Sequence, residues 1–314
     1  MLFRSPKLLN LDLGSRTFII TGANSGIGLV TAKQLAKQGA EVVMACRDKS
    51  NALRRIEEIR SEHPDANMLA YTLNLGDLRS VRSFVAEFLK NHDQLHGLVN
   101  NAGVMNPPYG KTVDGFELQF GVNHLGHFLL TDLLIDTLKR SAPSRIVNVS
   151  SRFHDVAMGR VGNIHFDDLN YESRRYNGWE AYAQSKLANV IHARGLSDEL
   201  VDSGVTAVSL HPGWVRTRLI RGTMPLWVQN YVLRPVLRMK GMIEPWEGAQ
   251  TTLHTLLDSE VPLNQGSYYS QVSEYRKGSS ASGGWPMESP NPNANDESIR
   301  KRLMQVSRSL LGLS

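Results

Sequence analysis

Two rhythms of apolar residues alternate along the chain. Short unbroken apolar runs, the mark of strands buried on both faces, fall at 18–20, 41–45, 67–74, 95–100, 145–150, 205–210 and 266–270. Between them, apolar positions return every three or four residues, the period of a helix with one buried face. This predicts helices after the first run to about Gln38, and over 50–62, 80–90, 116–138, 179–203, 245–257 and 297–311. Gly39 is placed to stop the first and Pro64 to follow the second. Strands that alternate with helices imply a parallel sheet with right-handed crossovers and helices on both faces. The expected fold class is therefore α/β, a doubly wound Rossmann-type sheet in a single domain spanning 1–314. Residues 1–16 read as an irregular lead-in, 276–296 as a Gly/Ser/Pro/Asn-rich loop and 297–311 as a C-terminal helix.

The first strand runs straight into glycines. In TFIITGANSGIGL (17–29), Phe18, Ile19 and Ile20 are followed by Gly22, Gly26 and Gly28, and Ile27, Val30, Leu35 and Ala36 then recur at helical spacing. Glycines at such a junction let backbone approach a phosphate closely and let the helix pack tightly on the strand. The helix start offers unpaired N–H groups and a positive dipole end to a pyrophosphate. A glycine-rich turn that binds nothing is the plainer alternative for the motif alone. In a doubly wound sheet, ligands sit beyond the carboxyl ends of the strands. Arg47, Asn74, the NNAG string at 100–103, Ser150 and Ser151, and Pro212–Gly213 all fall at such ends.

Composition narrows the classes. The chain has 314 residues, 41% of them hydrophobic, enough for one large core. The net charge is +5, but Lys and Arg are scattered among acids, which argues against a nucleic-acid footprint. A single cysteine, Cys46, excludes an internal disulfide and cysteine-based zinc sites and fits a reducing compartment. It reads as a small buried residue rather than a redox group. The ten histidines show no metal-ligand spacing, so no metal is expected. No run of about 18 apolar residues marks a membrane span, and MLFRSPKLLNLDLGS has too short an apolar run and too early a proline for a secretory signal. The Asn148-Val-Ser sequon lies in an expected buried strand and is discounted.

The sharpest chemical pair is Tyr182 and Lys186 in YAQSK, which share one face of the expected helix. A phenol titrates near pH 10, and a neighbouring ammonium favours the phenolate and brings its proton within use. An ordinary Tyr/Lys helix face is the alternative. Ser150 and Ser151 end a strand where a hydroxyl can meet a substrate oxygen, or simply close a turn. Asn123 lies in an apolar helix (FGVNHLGHF), where a buried amide must find partners, backbone groups included. Arg47 follows the second strand at the position where an acid would meet ribose hydroxyls. Arg there suits a 2′-phosphate instead, unless it is an ordinary solvated side chain.

Taken together, TGANSGIG (21–28), NNAG (100–103), Asn123, VSS (149–151), YAQSK (182–186) and PGWVRT (212–217) resemble the short-chain dehydrogenase/reductase family over nearly the whole chain. ACRD (45–48), NHLGHF (123–128), GAQT and the tail KRLMQVSRSLLGL are similar to the retinol dehydrogenase group. The resemblance implies that Tyr182 is the general acid/base, that Lys186 holds the nicotinamide ribose and tunes the tyrosine, and that Ser151 binds the carbonyl oxygen. It implies also that Asn123 steadies a water relaying protons to Lys186. The implied cofactor contacts are Gly22, Asn24, Ser25, Gly26, Ile27 and Gly28 in the turn and Arg47 at the second strand. Asn74 (often Asp in the family) and Leu75 follow the third strand, and Asn101, Ala102 and Gly103 the fourth. Tyr182, Lys186, Pro212, Gly213, Val215 and Thr217 complete the set.

The expected activity is hydride transfer between NADP(H) and an alcohol/carbonyl pair on a small lipophilic molecule, with retinol/retinal first. Steroid, fatty aldehyde or xenobiotic carbonyls are the alternative, and a non-catalytic NADP(H)-binding sensor is the rival from another class. Residues 218–244 mix apolar, aromatic and basic side chains and are expected to form a substrate lid. Their basic and aromatic side chains also suit an anionic membrane surface, so the expected location is the cytoplasm with peripheral membrane contact. Self-association into a homo-oligomer stays open.

Overall fold

The TFIIT run forms β1 (Thr17–Thr21), buried from Phe18 onward. The computed structural model describes residues 6–215, 242–270 and 285–313. After β1 come α1 (Gly26–Lys37), β2 (Glu41–Cys46), α2 (Lys49–Glu62), β3 (Met68–Thr72), α3 (Leu78–Asn91) and β4 (Gly97–Asn100). The next helical stretch is α4 (Leu118–Phe120), a π-helical turn (Gly121–Leu125) and α5 (Gly126–Arg140). β5 (Ser144–Val149), a small antiparallel hairpin of β6 (Val156–Ala157) and β7 (Arg160–Val161), α6 (Gly178–Glu199) and β8 (Val205–His211) follow. The chain closes with α7 (Pro245–Leu257), β9 (Tyr268–Ser270), α8 (Pro292–Asn295) and α9 (Glu297–Leu311).

Seven strands form one parallel sheet in the order β3-β2-β1-β4-β5-β8-β9. β1 pairs with β2 on one side (Thr21 opposite Ala45) and with β4 on the other (Ile20 opposite Val99). The strand order therefore reverses at β1/β4, where a doubly wound sheet opens a crevice beyond its carboxyl ends. Side chains alternate across the sheet. Ile19, Val43, Leu98 and Ile146 join the core under α3, α5 and α6, whereas Phe18, Ile20, Val42 and Val147 join the core under α1, α2 and α7. α6 is buried almost all round from Ala181 to Leu196, because the sheet covers one side and α9 lays Leu303, Met304 and Leu311 against another.

Four expectations need adjustment. The helix expected over 116–138 begins at Leu118 and widens into a π turn around Asn123. Apolar residues continue through that turn, so the one-residue bulge leaves no trace in the pattern. The helix expected to reach 203 ends at Glu199. The polar loop before α6 contains the β6–β7 hairpin, whose strands of two residues are too short for a periodic signal. In the stretch read as loop, Pro292–Asn295 makes one helical turn capped by the Asn291 side chain, while 276–284 lie outside the described residues. Most of the expected lid, 218–241, lies outside them too.

Candidate active site

The glycine turn is built around two close approaches. Gly22 has φ +66°, and a Cβ there would lie 3.0 Å from Cα of Ala102. A Cβ on Gly28 would lie 2.6 Å from Nδ2 of Asn101 and 2.9 Å from the Gly22 carbonyl oxygen. Asn101 is locked there, since Nδ2 donates to the Thr21 carbonyl at 2.8 Å. The Asn101 and Ala102 amides both donate to Thr21 Oγ1 at 2.9 Å. Ser25 caps α1 in extended geometry, yet its hydroxyl makes no cap bond, and the first turn of α1 carries no acidic residue. A tight backbone cradle, an uncommitted hydroxyl and a helix start without negative charge fit a pyrophosphate. Ile27 packs with Val215 and Ala249, which joins this turn to the segment after β8.

Along the crevice rim, Arg47 is exposed at the end of β2. Its neighbour Asp48 caps α2, the carboxylate accepting the Asn51 amide at 2.9 Å. Cys46 is buried, and burial pushes its thiol up to about 11, so it is inert. Asn74 Oδ1 accepts the Gly76 amide at 3.2 Å, which leaves its amino group for other partners. Leu75 is buried. Pro212 and Gly213 (φ +98°) turn the chain after β8, and Val215 bridges to Ile243. Thr217 lies outside the described residues.

At the end of β5 the two serines part. Ser150 Oγ donates to the Lys186 carbonyl at 2.7 Å and is spent on holding α6. Ser151 Oγ accepts the Phe153 amide at 3.3 Å, and its hydroxyl favours the phenolate of Tyr182. Lys186 Nζ donates to the Val149 carbonyl at 2.9 Å and lies 5.9 Å from the centroid of the Tyr182 ring. Burial lowers the Lys186 pKa to about 8. The same burial raises Tyr182 to about 12, with the Ser151 hydroxyl opposing it. In the protein alone, loss of water outweighs the help of the Ser151 hydroxyl, and the phenol stays above its ordinary value.

Asn123 sits on the π turn. Its Nδ2 donates to the Val104 carbonyl and to Ser185 Oγ, both at 2.9 Å, and its Oδ1 accepts the Val104 amide at 2.8 Å. The side chain thus fixes the strand-to-loop passage after NNAG. A Cβ on Gly103 would lie 3.0 Å from Asn123 Oδ1 and 3.5 Å from Lys186 Nζ, so the NNAG loop, Asn123 and Lys186 converge. The Asn123 main-chain oxygen lies 3.0 Å from His127 Nδ1. A carbonyl only accepts, so Nδ1 carries the proton. Burial holds the ring neutral, with a pKa of about 3, and its Nε2 then accepts the Thr21 hydroxyl at 2.9 Å. This relay of bonds joins the first strand to the π turn. His124, by contrast, bonds Ser307 Oγ on α9 at 2.8 Å.

Sequence reasoning missed the wall beside Tyr182. Phe153 stacks on Trp179 at 5.0 Å and meets the Tyr182 ring edge-on at 5.9 Å. Both Phe153 and Trp179 are half-buried. Phe153 lies in a short turn without a period and Trp179 in the first turn of α6, so nothing local pointed to the pairing.

The pattern of the short chain dehydrogenase family matches residues 16–165. The chain is 41% identical to retinol dehydrogenase 11 of Homo sapiens over 307 residues, covering 96% of this chain and 88% of that protein. It belongs to the short-chain dehydrogenase family. Retinol dehydrogenase 13 of Homo sapiens is 42% identical over 95% of this chain and 85% of its own length. Among solved structures, a putative uncharacterized protein from Mycobacterium paratuberculosis has a TM-score of 0.73 and 33% identity, covering 98% of this chain and 97% of its own. The Pseudomonas aeruginosa RhlG/NADP active-site complex shares the fold, with a TM-score of 0.66 at 22% identity over 83% of this chain and 96% of its own. As a short-chain dehydrogenase the chain is an oxidoreductase that uses a nicotinamide cofactor. Among the described residues, no helix is long and apolar enough to cross a membrane.

Proposed function

We propose that this short-chain dehydrogenase interconverts an alcohol and a carbonyl on a small lipophilic molecule with NADP(H), a retinol/retinal-like substrate being the first choice. The observation that carries the reading is buried Lys186, held by the Val149 carbonyl, beside the ring of Tyr182 and next to the NNAG loop, with Ser151 at the end of the same strand. The residues present suit the cofactor. The cradle at Gly22, Gly26 and Gly28 and the Ser25 hydroxyl would hold its pyrophosphate, and exposed Arg47 its 2′-phosphate. When bound, a nicotinamide cofactor gives or takes a hydride at the substrate carbon. Ser151 and Tyr182 hydrogen-bond the substrate oxygen, where negative charge grows during reduction and such donors act most. Tyr182 passes its proton to that oxygen. Lys186, whose pKa of about 8 lies near working pH, then returns a proton towards the phenolate, with Asn123 ordering the path.

The lipophilic substrate is supported by the aromatic wall of Phe153 and Trp179 and by the retinol dehydrogenase likeness. Peripheral contact with a membrane and a homo-oligomer belong to the same proposal, as does a lid over 218–244, which lies mostly outside the described residues. Purified protein assayed with NADPH against retinal, steroid and aliphatic carbonyls tests the reading. Retinal reduction faster than that of small polar carbonyls is expected. NADPH binding without turnover of any carbonyl or alcohol would establish the sensor instead.

A further inference from the structure

The loop that carries Ser151 is held at both ends by a distant part of the chain. His154, fully buried, closes the short turn that Ser151 begins. Its Nδ1 lies 2.6 Å from the Ser151 main-chain oxygen and its Nε2 2.7 Å from Ser289 Oγ. The carbonyl can only accept, so Nδ1 carries the proton. Burial keeps the ring neutral, with a pKa of about 4, and Nε2 accepts the Ser289 hydroxyl proton. Asn291, also fully buried, donates from Nδ2 to the His154 carbonyl at 2.5 Å and to the Gly162 carbonyl at 2.9 Å. Asn293 adds a second bond to Gly162 at 2.9 Å. Asn295 ties the segment together, donating to the Ser289 carbonyl at 2.8 Å and accepting from Arg194 of α6 at 2.6 Å. The segment 289–295 thus clasps the loop 151–162 and is anchored on the same helix that carries Tyr182 and Lys186.

Among the described residues, the Ser151 hydroxyl has only the long bond from the Phe153 amide and its influence on Tyr182. Its placement therefore depends on the main chain, which is held before Ser151 by the bonds of Ser150 to Leu210 and Lys186 and at Ser151 itself by His154. We infer that Ser289 and Asn291 are positioning residues which, through His154, hold the Ser151 hydroxyl against Tyr182. The inference rests on the oxidoreductase reading of Ser151 given above. A reacting geometry loosened by an ångström costs about 10- to 100-fold in rate.

The test is a mutant cycle. Ser289→Ala and Asn291→Ser are made singly and on a Ser151→Ala background. Each single variant is expected to lose about tenfold or more in kcat, with NADPH affinity unchanged. On the Ser151→Ala background neither should lower the rate further, because no hydroxyl is left to place. Equal losses on both backgrounds, or no loss on either, would overturn the inference while leaving the oxidoreductase reading intact. Amide hydrogen exchange gives a readout that needs no turnover. Exchange in 151–162 should quicken in both variants, with α1 unchanged. Unchanged exchange in 151–162 would refute the clasp even if the parent protein turned over nothing, a result that would itself sink the oxidoreductase reading.

Discussion

Lys186 reaches past the ring of Tyr182, its ammonium 5.9 Å from the ring centroid, to bond the Val149 carbonyl at 2.9 Å. The pair therefore shares one buried pocket but not one hydrogen bond. Val149 is the last residue of β5, so the lysine is aimed by the sheet, while Ser151, two residues on, acts on the tyrosine. Burial acts on the two groups in opposite directions, raising the phenol to about 12 and lowering the amine to about 8. Each is thereby kept neutral more readily than in water, which suits groups that exchange protons rather than hold charge.

Tyr182→Phe keeps the ring, and with it the edge contact to Phe153, while deleting the proton. Fold and NADPH affinity should stay near those of the parent. Turnover should fall by at least about 10²-fold, the lower worth of a general acid. Steady-state kinetics beside an NADPH titration decide it, and a variant that turns over at the parent rate would remove Tyr182 from the mechanism.

Arg47→Ala should weaken NADPH and spare NADH. The guanidinium is exposed at the end of β2 and available to a 2′-phosphate. Loss of a charged hydrogen bond costs about 1.5–3 kcal/mol, roughly a 10- to 100-fold change in the NADPH:NADH preference. An unaltered preference in fluorescence titrations would mean that Arg47 is only a solvated surface side chain.

Much of this architecture is legible in the sequence because each part has a local cause. Buried parallel strands must be apolar throughout, so β1, β2 and β5 stand out as runs, and the Tyr182/Lys186 spacing is a property of one helix. What stays hidden is what depends on distance or on a one-residue irregularity. The π turn at Gly121–Leu125 keeps its apolar content and so looks like plain helix. The bond from Ser289 to His154 joins residues 135 positions apart, and nothing in SPNPNAN announces that its amides close on the serine loop. Which of Ser150 and Ser151 faces Tyr182 is likewise a matter of where α6 packs, since Ser150 is taken by the Lys186 carbonyl.

Gly28→Ala should damage both cofactor binding and folding. Its Cβ would press on Nδ2 of Asn101 at 2.6 Å and on the Gly22 oxygen at 2.9 Å. Asn101 could yield only by giving up its bond to the Thr21 carbonyl, and the turn would open. Overpacking of this kind costs about 1–3 kcal/mol. The expected result is an unfolding free energy lowered by that amount, read from urea titration, and NADPH affinity lowered at least tenfold. Parent-like affinity would show that the close approach at Gly28 serves helix packing alone.

The last prediction concerns pH. Lys186 is 4% exposed, and its folded pKa of about 8 lies below the ordinary 10.5. Between those values the unfolded chain holds a proton that the folded chain lacks, so stability at this site rises with pH across the window. Below about pH 8 the folded protein must keep a buried ammonium, and the penalty is then complete, about 3 kcal/mol. Lys186→Met removes it while filling similar space. The Val149 carbonyl is not orphaned, since Asn189 Nδ2 still donates to it at 3.2 Å. The variant should therefore unfold at higher urea than the parent at pH 7, and its advantage should shrink as pH rises towards 9.5. Buried phenols such as Tyr182 and Tyr269, both raised to about 12, act in the opposite sense only above about pH 10, where unfolded phenols ionise. The measurement is the urea midpoint of both proteins at pH 7, 8.5 and 9.5. An advantage that stays constant with pH, or a variant weaker than the parent at pH 7, would show that Lys186 is not held against its charge. Turnover should be lost at every pH, which makes the lysine a residue retained for chemistry at the expense of stability.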